Sequence, residues 1–154
     1  MQIRRATHED LTEIIQLFYD TVIIVNARDY NADQVKVWAA AANNPETWKK
    51  KVKEQLFVVA EKNRKILGFA SLEDDGCLDM LYVHKDHQHE GVASALVGYL
   101  EDKARELQID TLYSDVSITA QPFLQRRGYI TERENRKLVK DVEFVNAIMQ
   151  KNIR

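Results

Sequence analysis

Apolar positions change their period twice along the chain, and the changes separate helical from extended stretches. Leu11, Ile14, Ile15, Phe18, Val22 and Val25 recur at three- and four-residue steps, which predicts a helix to about Asn26. Residues 3–6 read as a strand before it, and Thr7 with Asp10 forms a capping box with Asp in place of Glu. Asn31 and Gln34 repeat the box ahead of a second helix, with Val35, Trp38, Ala39 and Ala42 on one face, ending near Asn43. Asn44 followed by Pro45 opens a third helix carrying Trp48 and Val52.

From Leu56 the runs become short, apolar and β-branched. Residues 56–60 and 66–72 predict a hairpin, and the turn Asp74-Asp75-Gly76 leads into a third strand, Leu78–Val83, whose only charge is Asp79. A polar loop, 85–90, ends at Gly91. Val92, Leu96, Tyr99, Leu100, Ala104 and Leu107 then return to helical spacing. A helix opening at a glycine offers unpaired N–H groups and the positive end of a macrodipole, a cradle suited to a phosphate. Thr111–Val116 is the next strand, and the strand-helix-strand crossover favours parallel pairing with Leu78–Val83. A short helix follows, with Thr119 as N-cap, Pro122 at its third position and Gly128 after its end. Strands 130–138 and 142–149, turning at Lys140-Asp141, complete a mixed α/β sheet domain.

Composition narrows the function. The 154 residues suit one domain, spanning 1–154, with a substantial core. A net charge of -2 gives no general pull towards nucleic acid or an anionic membrane, so any anion site must be local. No apolar run approaches the ~20 residues of a membrane span and residues 1–5 carry no signal-peptide core, which places the protein in the cytoplasm. Cys77 is the only cysteine, so an internal disulfide is impossible, and it reads as a small buried apolar residue rather than a nucleophile. His84, His87 and His89 match no common zinc spacing, and no metal site is expected.

Gln88-His89-Glu90-Gly91-Val92-Ala93 matches Q-x-x-G-x-A, placed after an apolar strand and at a helix start, and Ala120, Phe123, Gly128 and Tyr129 match A-x-x-[LF]-x-x-x-x-G-[FY]. With Ile3-Arg4-Arg5-Ala6, Asp10, Leu11 and Ile14, these motifs resemble the GNAT superfamily of acyl-CoA-dependent N-acyltransferases over nearly the whole chain. The resemblance implies a mostly antiparallel central sheet of about seven strands flanked by helices, with a splayed parallel strand pair at the cofactor site. It implies acetyl-CoA as co-substrate, its pyrophosphate on backbone N–H groups of Gln88, His89, Glu90, Gly91, Val92, Ala93 and Ser94. The backbone of Leu81, Tyr82 and Val83 would hold the pantetheine arm, with Leu81 N–H facing the thioester carbonyl as oxyanion donor. Phe123, with Arg126 or Arg127, would lie towards the adenosine, although a solvated helix face also accounts for the arginines.

The reaction so implied is direct acetyl transfer to a primary amine of a small molecule or peptide in a ternary complex. A lysine amine, with pKa ~10.4, must lose a proton before it attacks. Asp79 is the favoured base, read as sharing a side-chain face with Leu81; pairing with a nearby cation or facing solvent is the alternative. Glu73 and Asp115 are further candidates. Many family members carry a tyrosine after the [LF] position to protonate the departing thiolate, and here that position is Leu124. Tyr82 or Tyr113 stands in for it, or the thiolate leaves unassisted. The departure also admits a non-catalytic acyl-CoA-binding regulatory module. Tyr30, Trp38 and Trp48 fall in the segment that shapes the acceptor pocket in the family, and the final hairpin offers an edge through which a homodimer could form.

Overall fold

The computed structural model describes all 154 residues. The chain runs β1 (Gln2–Arg5), α1 (Leu11–Ile24), α2 (Ala32–Ala39), α3 (Pro45–Glu54), β2 (Leu56–Lys62), β3 (Lys65–Leu72), β4 (Leu78–Val83), α4 (Val92–Glu106), β5 (Thr111–Val116), α5 (Gln121–Arg126), β6 (Ile130–Val139) and β7 (Val142–Asn152). Short 3₁₀ turns precede α1 and follow α1 and α2. The seven strands form two antiparallel sheets, ordered β1-β2-β3-β4 and β5-β7-β6, which meet edge to edge between β4 and β5. This is the fold expected from the sequence, with the parallel pair reduced to a single bridge between Cys77 and Tyr113.

Local chemistry explains most boundaries. Asn31 Oδ1 accepts from Gln34 N–H and Gln34 Oε1 from Asn31 N–H, both at 2.8 Å, closing the capping box of α2. Asn63-Arg64 and Lys140-Asp141 place consecutive residues at positive φ (52° and 64°, 50° and 65°), the geometry of tight hairpin turns that match strand twist. Four boundaries shift: α2 ends at Ala39 in a 3₁₀ turn that runs to Asn43, and β7 runs on to Asn152. α1 stops at Ile24, ahead of a 3₁₀ turn, and α5 begins after Ala120 with Pro122 at its second position, while Thr119 Oγ1 bonds Asp29 instead of capping.

Both faces of the first sheet are covered, which is why β2 and β3 read as continuous apolar runs rather than alternating ones. Val58, Ala60, Leu67 and Ala70 meet Val92, Leu96 and Leu100 of α4 on one face. Phe57, Val59, Ile66 and Phe69 meet Ile14, Phe18, Trp48 and Val52 of α1 and α3 on the other. Gly68 sets the fit of α4: a Cβ there would lie 2.9 Å from both Tyr82 O and Val92 Cγ1. The helix start is therefore held tight against β3 and β4, the edge at which the sheets part.

Candidate functional site

The cleft begins where β4 and β5 diverge. Tyr113 N–H donates to Gly76 C=O at 3.1 Å and Ser114 Oγ to Leu78 C=O at 2.7 Å; past these contacts no ladder joins the strands. The opening is a cleft of about 930 Å³ between α4 and α5 on one side and the end of α1, α2 and β7 on the other.

β4 contributes backbone. His84 N–H donates to Leu67 C=O at 2.8 Å, so by antiparallel alternation Tyr82 turns its N–H and C=O to β3, and Leu81 and Val83 turn theirs to the cleft. Val83 is only half available, because its C=O accepts from Gln88 Nε2 at 2.7 Å and Thr21 Oγ1 at 3.0 Å. The three residues expected to hold the pantetheine arm thus reduce to Leu81 and the N–H of Val83, because the Tyr82 backbone is spent on β3. Gln88 also donates to His84 C=O at 3.3 Å, so its side chain braces the loop and leaves its backbone facing the opening.

The loop then turns through His89 (φ 61°) and Gly91 (φ 85°), which aims successive N–H groups outward at the start of α4. A Cβ at Gly91 would meet nothing within 4 Å, so the space before the helix is open. Gln88, His89, Gly91, Val92, Ala93 and Ser94 all line the cleft. Glu90 does not line it, and its carboxylate turns to His87 Nδ1 at 3.2 Å. Phe123, Arg126 and Arg127 close this end. Arg127 is no free helix-face cation: its Nη2 pairs at 2.6 Å with Glu101, which also accepts from Tyr129 OH at 2.8 Å and Lys151 Nζ at 3.0 Å. Burial alone would raise the Glu101 carboxyl, but these three donors outweigh it and hold it below the ordinary range. Arg127 Nε stays buried without a partner.

The catalytic candidates scatter. Leu72 pairs with Leu78 and Ser71 with Met80, so Asp79 is the extra residue of a bulge. The alternation breaks there: Leu78 and Leu81 pack towards α4, while Asp79 reaches Lys51 Nζ and, at 2.9 Å, Gln55 Nε2 beside α3. Asp79 therefore does not share a face with Leu81, although it lines the cleft and its Oδ1 has no protein partner. Tyr82 lines the cleft, its hydroxyl accepting from Trp38 Nε1 at 3.1 Å, and burial pushes its phenol well above the usual range. Tyr113 lies outside the cleft; its hydroxyl donates to Asp75 at the β3–β4 turn, and that bond raises its pKa. A departing thiolate in the cleft is out of its reach. Glu73 also lies away from the cleft, and Leu124 is buried. Burial pushes the Cys77 thiol up to about 12, which leaves little thiolate for nucleophilic work.

The opposite wall is made of side chains the sequence reading passed over. Thr21, Asn26, Ser114, Ser117, Lys137 and Asn146 join Trp38 and Asp115 there. Trp48 is core, 2% exposed, with its indole N–H on Ala41 C=O. Tyr30 supports from behind, its hydroxyl accepting from Ile118 N–H at 2.8 Å and donating to Asn146 Oδ1 at 3.0 Å. These residues come from α1, α2, β5, β6, β7 and the turns that follow α1 and β5, and no short motif collects them.

Known proteins share this arrangement. Residues 26–152 match the model of the acetyltransferase (GNAT) domain. An uncharacterized N-acetyltransferase of Escherichia coli (strain K12), YafP, is 31% identical over 150 residues, 97% of this chain and 95% of that protein. The crystal structure of a GCN5-related N-acetyltransferase from Rhodopseudomonas palustris superposes with a TM-score of 0.95 at 29% identity, covering 98% of this chain and 94% of that one. The PaiA N-acetyltransferase of Thermoplasma acidophilum, solved in complex with coenzyme A, shares the fold with a TM-score of 0.82 at 19% identity over 98% of each chain. Together with the splayed strands and the open loop before α4, the match over residues 26–152 shows that this chain belongs to the GNAT acetyltransferase family.

Proposed function

We propose that the protein transfers an acetyl group from acetyl-CoA to a primary amine, directly and within a ternary complex. The observation that carries this reading is the backbone of the cleft. Leu81 turns its N–H and C=O into the splay, where no strand pairs with them, and the loop into α4 leaves the space before Gly91 open. Unpaired N–H groups there suit an extended amide-bearing arm and a pyrophosphate. Acetyl-CoA supplies the acyl thioester when bound.

Each protein group then has a limited task. Leu81 N–H is placed to donate to the carbonyl oxygen as negative charge develops on it. Asp79 Oδ1 accepts the ammonium proton, directly or through water. An N–C bond forms, the nitrogen's second proton passes to water, the C–S bond breaks, and the thiolate takes a proton from water, since Leu124 offers none. Tyr82 keeps its proton, because a phenol raised by burial is a poor acid, and it contributes a hydrogen bond instead. The missing phenol at Leu124 favours one other reading, a non-catalytic acyl-CoA-binding module.

Release of free CoA thiol across a panel of alkylamines, polyamines, aminoglycosides, amino acids and peptides tests the proposal. Turnover with intersecting initial-velocity lines and no acetylated enzyme by mass spectrometry is expected. Binding of acetyl-CoA with no thiol release beyond the background hydrolysis rate would favour the module.

A further inference from the structure

The acceptor end of the cleft has a polarity of its own. Buried polar atoms there are matched with one kind of exception. Tyr30 OH, Asn146 Oδ1 and Trp38 Nε1 all have partners, and Thr119 Oγ1 donates to Asp29 at 2.8 Å. Asn26 Oδ1 and Asp115 Oδ1 have none. Asn26 is 5% exposed, and both residues line the cleft. Two buried acceptors without a partner, and no buried donor without one, stand on this wall; they suit a ligand that brings N–H groups, and the Asp115 carboxylate disfavours a carboxylate or phosphate. The only buried donor without a partner in the cleft, Arg127 Nε, lies on the α4 side.

A cation already stands on Asp115. Lys137 Nζ lies 2.6 Å from Asp115 Oδ2, reaching from β6 across the intervening strand β7. Asp115 is its one partner, and its side chain is 41% exposed, so it can swing into solvent. Its register neighbour is Phe144, which meets Trp38 edge-on at 6.4 Å, and Trp38 meets Tyr82 at the same distance. Aromatic faces beside a carboxylate suit an ammonium with a short apolar body.

We propose that the amine acceptor is a small primary alkyl- or aralkylammonium that displaces the Lys137 ammonium from Asp115 and lays its body against Trp38, Tyr82 and Phe144. Lys137 is then an internal competitor of the substrate, a specificity-determining residue that fills the acid in its absence. An anionic group beside the amine is rejected by Asp115, and a neutral hydroxyl in place of the ammonium fails to displace a lysine. The inference rests on the acetyl-transfer reading and names the acceptor class for it.

Calorimetric titration with 2-phenylethylammonium, 2-phenylethanol and phenylalanine, on wild type, Lys137→Met and Asp115→Asn, tests it. The ammonium is expected to bind wild type at least about tenfold more tightly than either analogue, as a charge-assisted contact requires. Lys137→Met should tighten ammonium binding severalfold, and Asp115→Asn should weaken it by about tenfold or more. Unchanged or weaker ammonium binding by Lys137→Met overturns the proposal, as does equal binding of the alcohol or no ammonium binding by any of the three proteins. Titration of the same samples with acetyl-CoA separates the two levels. Binding of acetyl-CoA without the ammonium sinks the acceptor assignment alone, whereas failure of wild type to bind acetyl-CoA sinks the acetyl-transfer reading with it.

Discussion

The two walls of the cleft are built from different materials. On the α4 side the groups that face the opening are main-chain N–H groups of Leu81, Val83 and the loop through Gly91, with side chains such as Gln88 and Glu101 acting as braces behind them. On the α1 and α2 side they are side chains, among them Asn26, Trp38, Asp115 and Lys137, gathered from separate helices, strands and turns. A backbone wall depends on conformation and tolerates changes of residue type that keep it. A side-chain wall changes with every substitution. The first suits a partner held in common by a family, the second one that differs from member to member.

Removing Gly91 should give the largest separation between the walls. Gly91→Glu places a side chain at φ 85°, costing about 1–2 kcal/mol of backbone strain, and puts a negative charge where the pyrophosphate is proposed to sit. Acetyl-CoA binding should become undetectable by calorimetry, with 2-phenylethylammonium binding unchanged; retained acetyl-CoA affinity would show that the cradle is not its site. Glu101→Ala attacks the brace instead. It leaves Arg127 and Lys151, both partly exposed, without their shared carboxylate and should cost about 2–3 kcal/mol in urea denaturation.

Asp79→Asn probes the chemistry between the walls. kcat should fall on the order of 100-fold, the usual weight of a general base, with the acetyl-CoA dissociation constant unchanged. Normal turnover would remove Asp79 from the mechanism. Trp38→Ala should raise KM for the amine by about tenfold and leave acetyl-CoA binding alone, as expected for an aromatic anchor confined to one wall. The smallest effect is in acid. The Glu101 carboxyl is held below its ordinary value, so the stability it contributes is complete above about pH 4.5 and is lost as pH falls through its depressed folded value. Glu101→Gln should flatten that part of the stability curve; an unchanged acid limb would show that Glu101 does not carry it.

How much of this was readable from the sequence follows the same division. Capping pairs, the Gly91 helix start and the Lys140-Asp141 turn are local, and each appears where its residues predict. The backbone wall was legible because one six-residue motif encodes both its glycine and its brace. Asp79 was misplaced because a bulge is set by how β3 and β4 register against each other, which alternation along one strand cannot reveal. Tyr113 looked available until the fold brought Asp75 to its hydroxyl from 38 residues away in sequence. Asn26 and Lys137 carry no local mark at all: one follows a helix, the other sits on an exposed strand, and only the sheet arrangement brings them to the same cleft.

In the proposed complex, acetyl-CoA is held by main-chain N–H groups of one wall and leaves the other for the amine. An amide-resolved NMR titration with acetyl-CoA tests this most directly. Large shifts are expected at the amides of Leu81, Val83, Gly91 and Val92, with the Trp38 indole and the Asp115 amide little changed. Shifts concentrated at Trp38 and Asp115, or no shifts at millimolar acetyl-CoA, would contradict it.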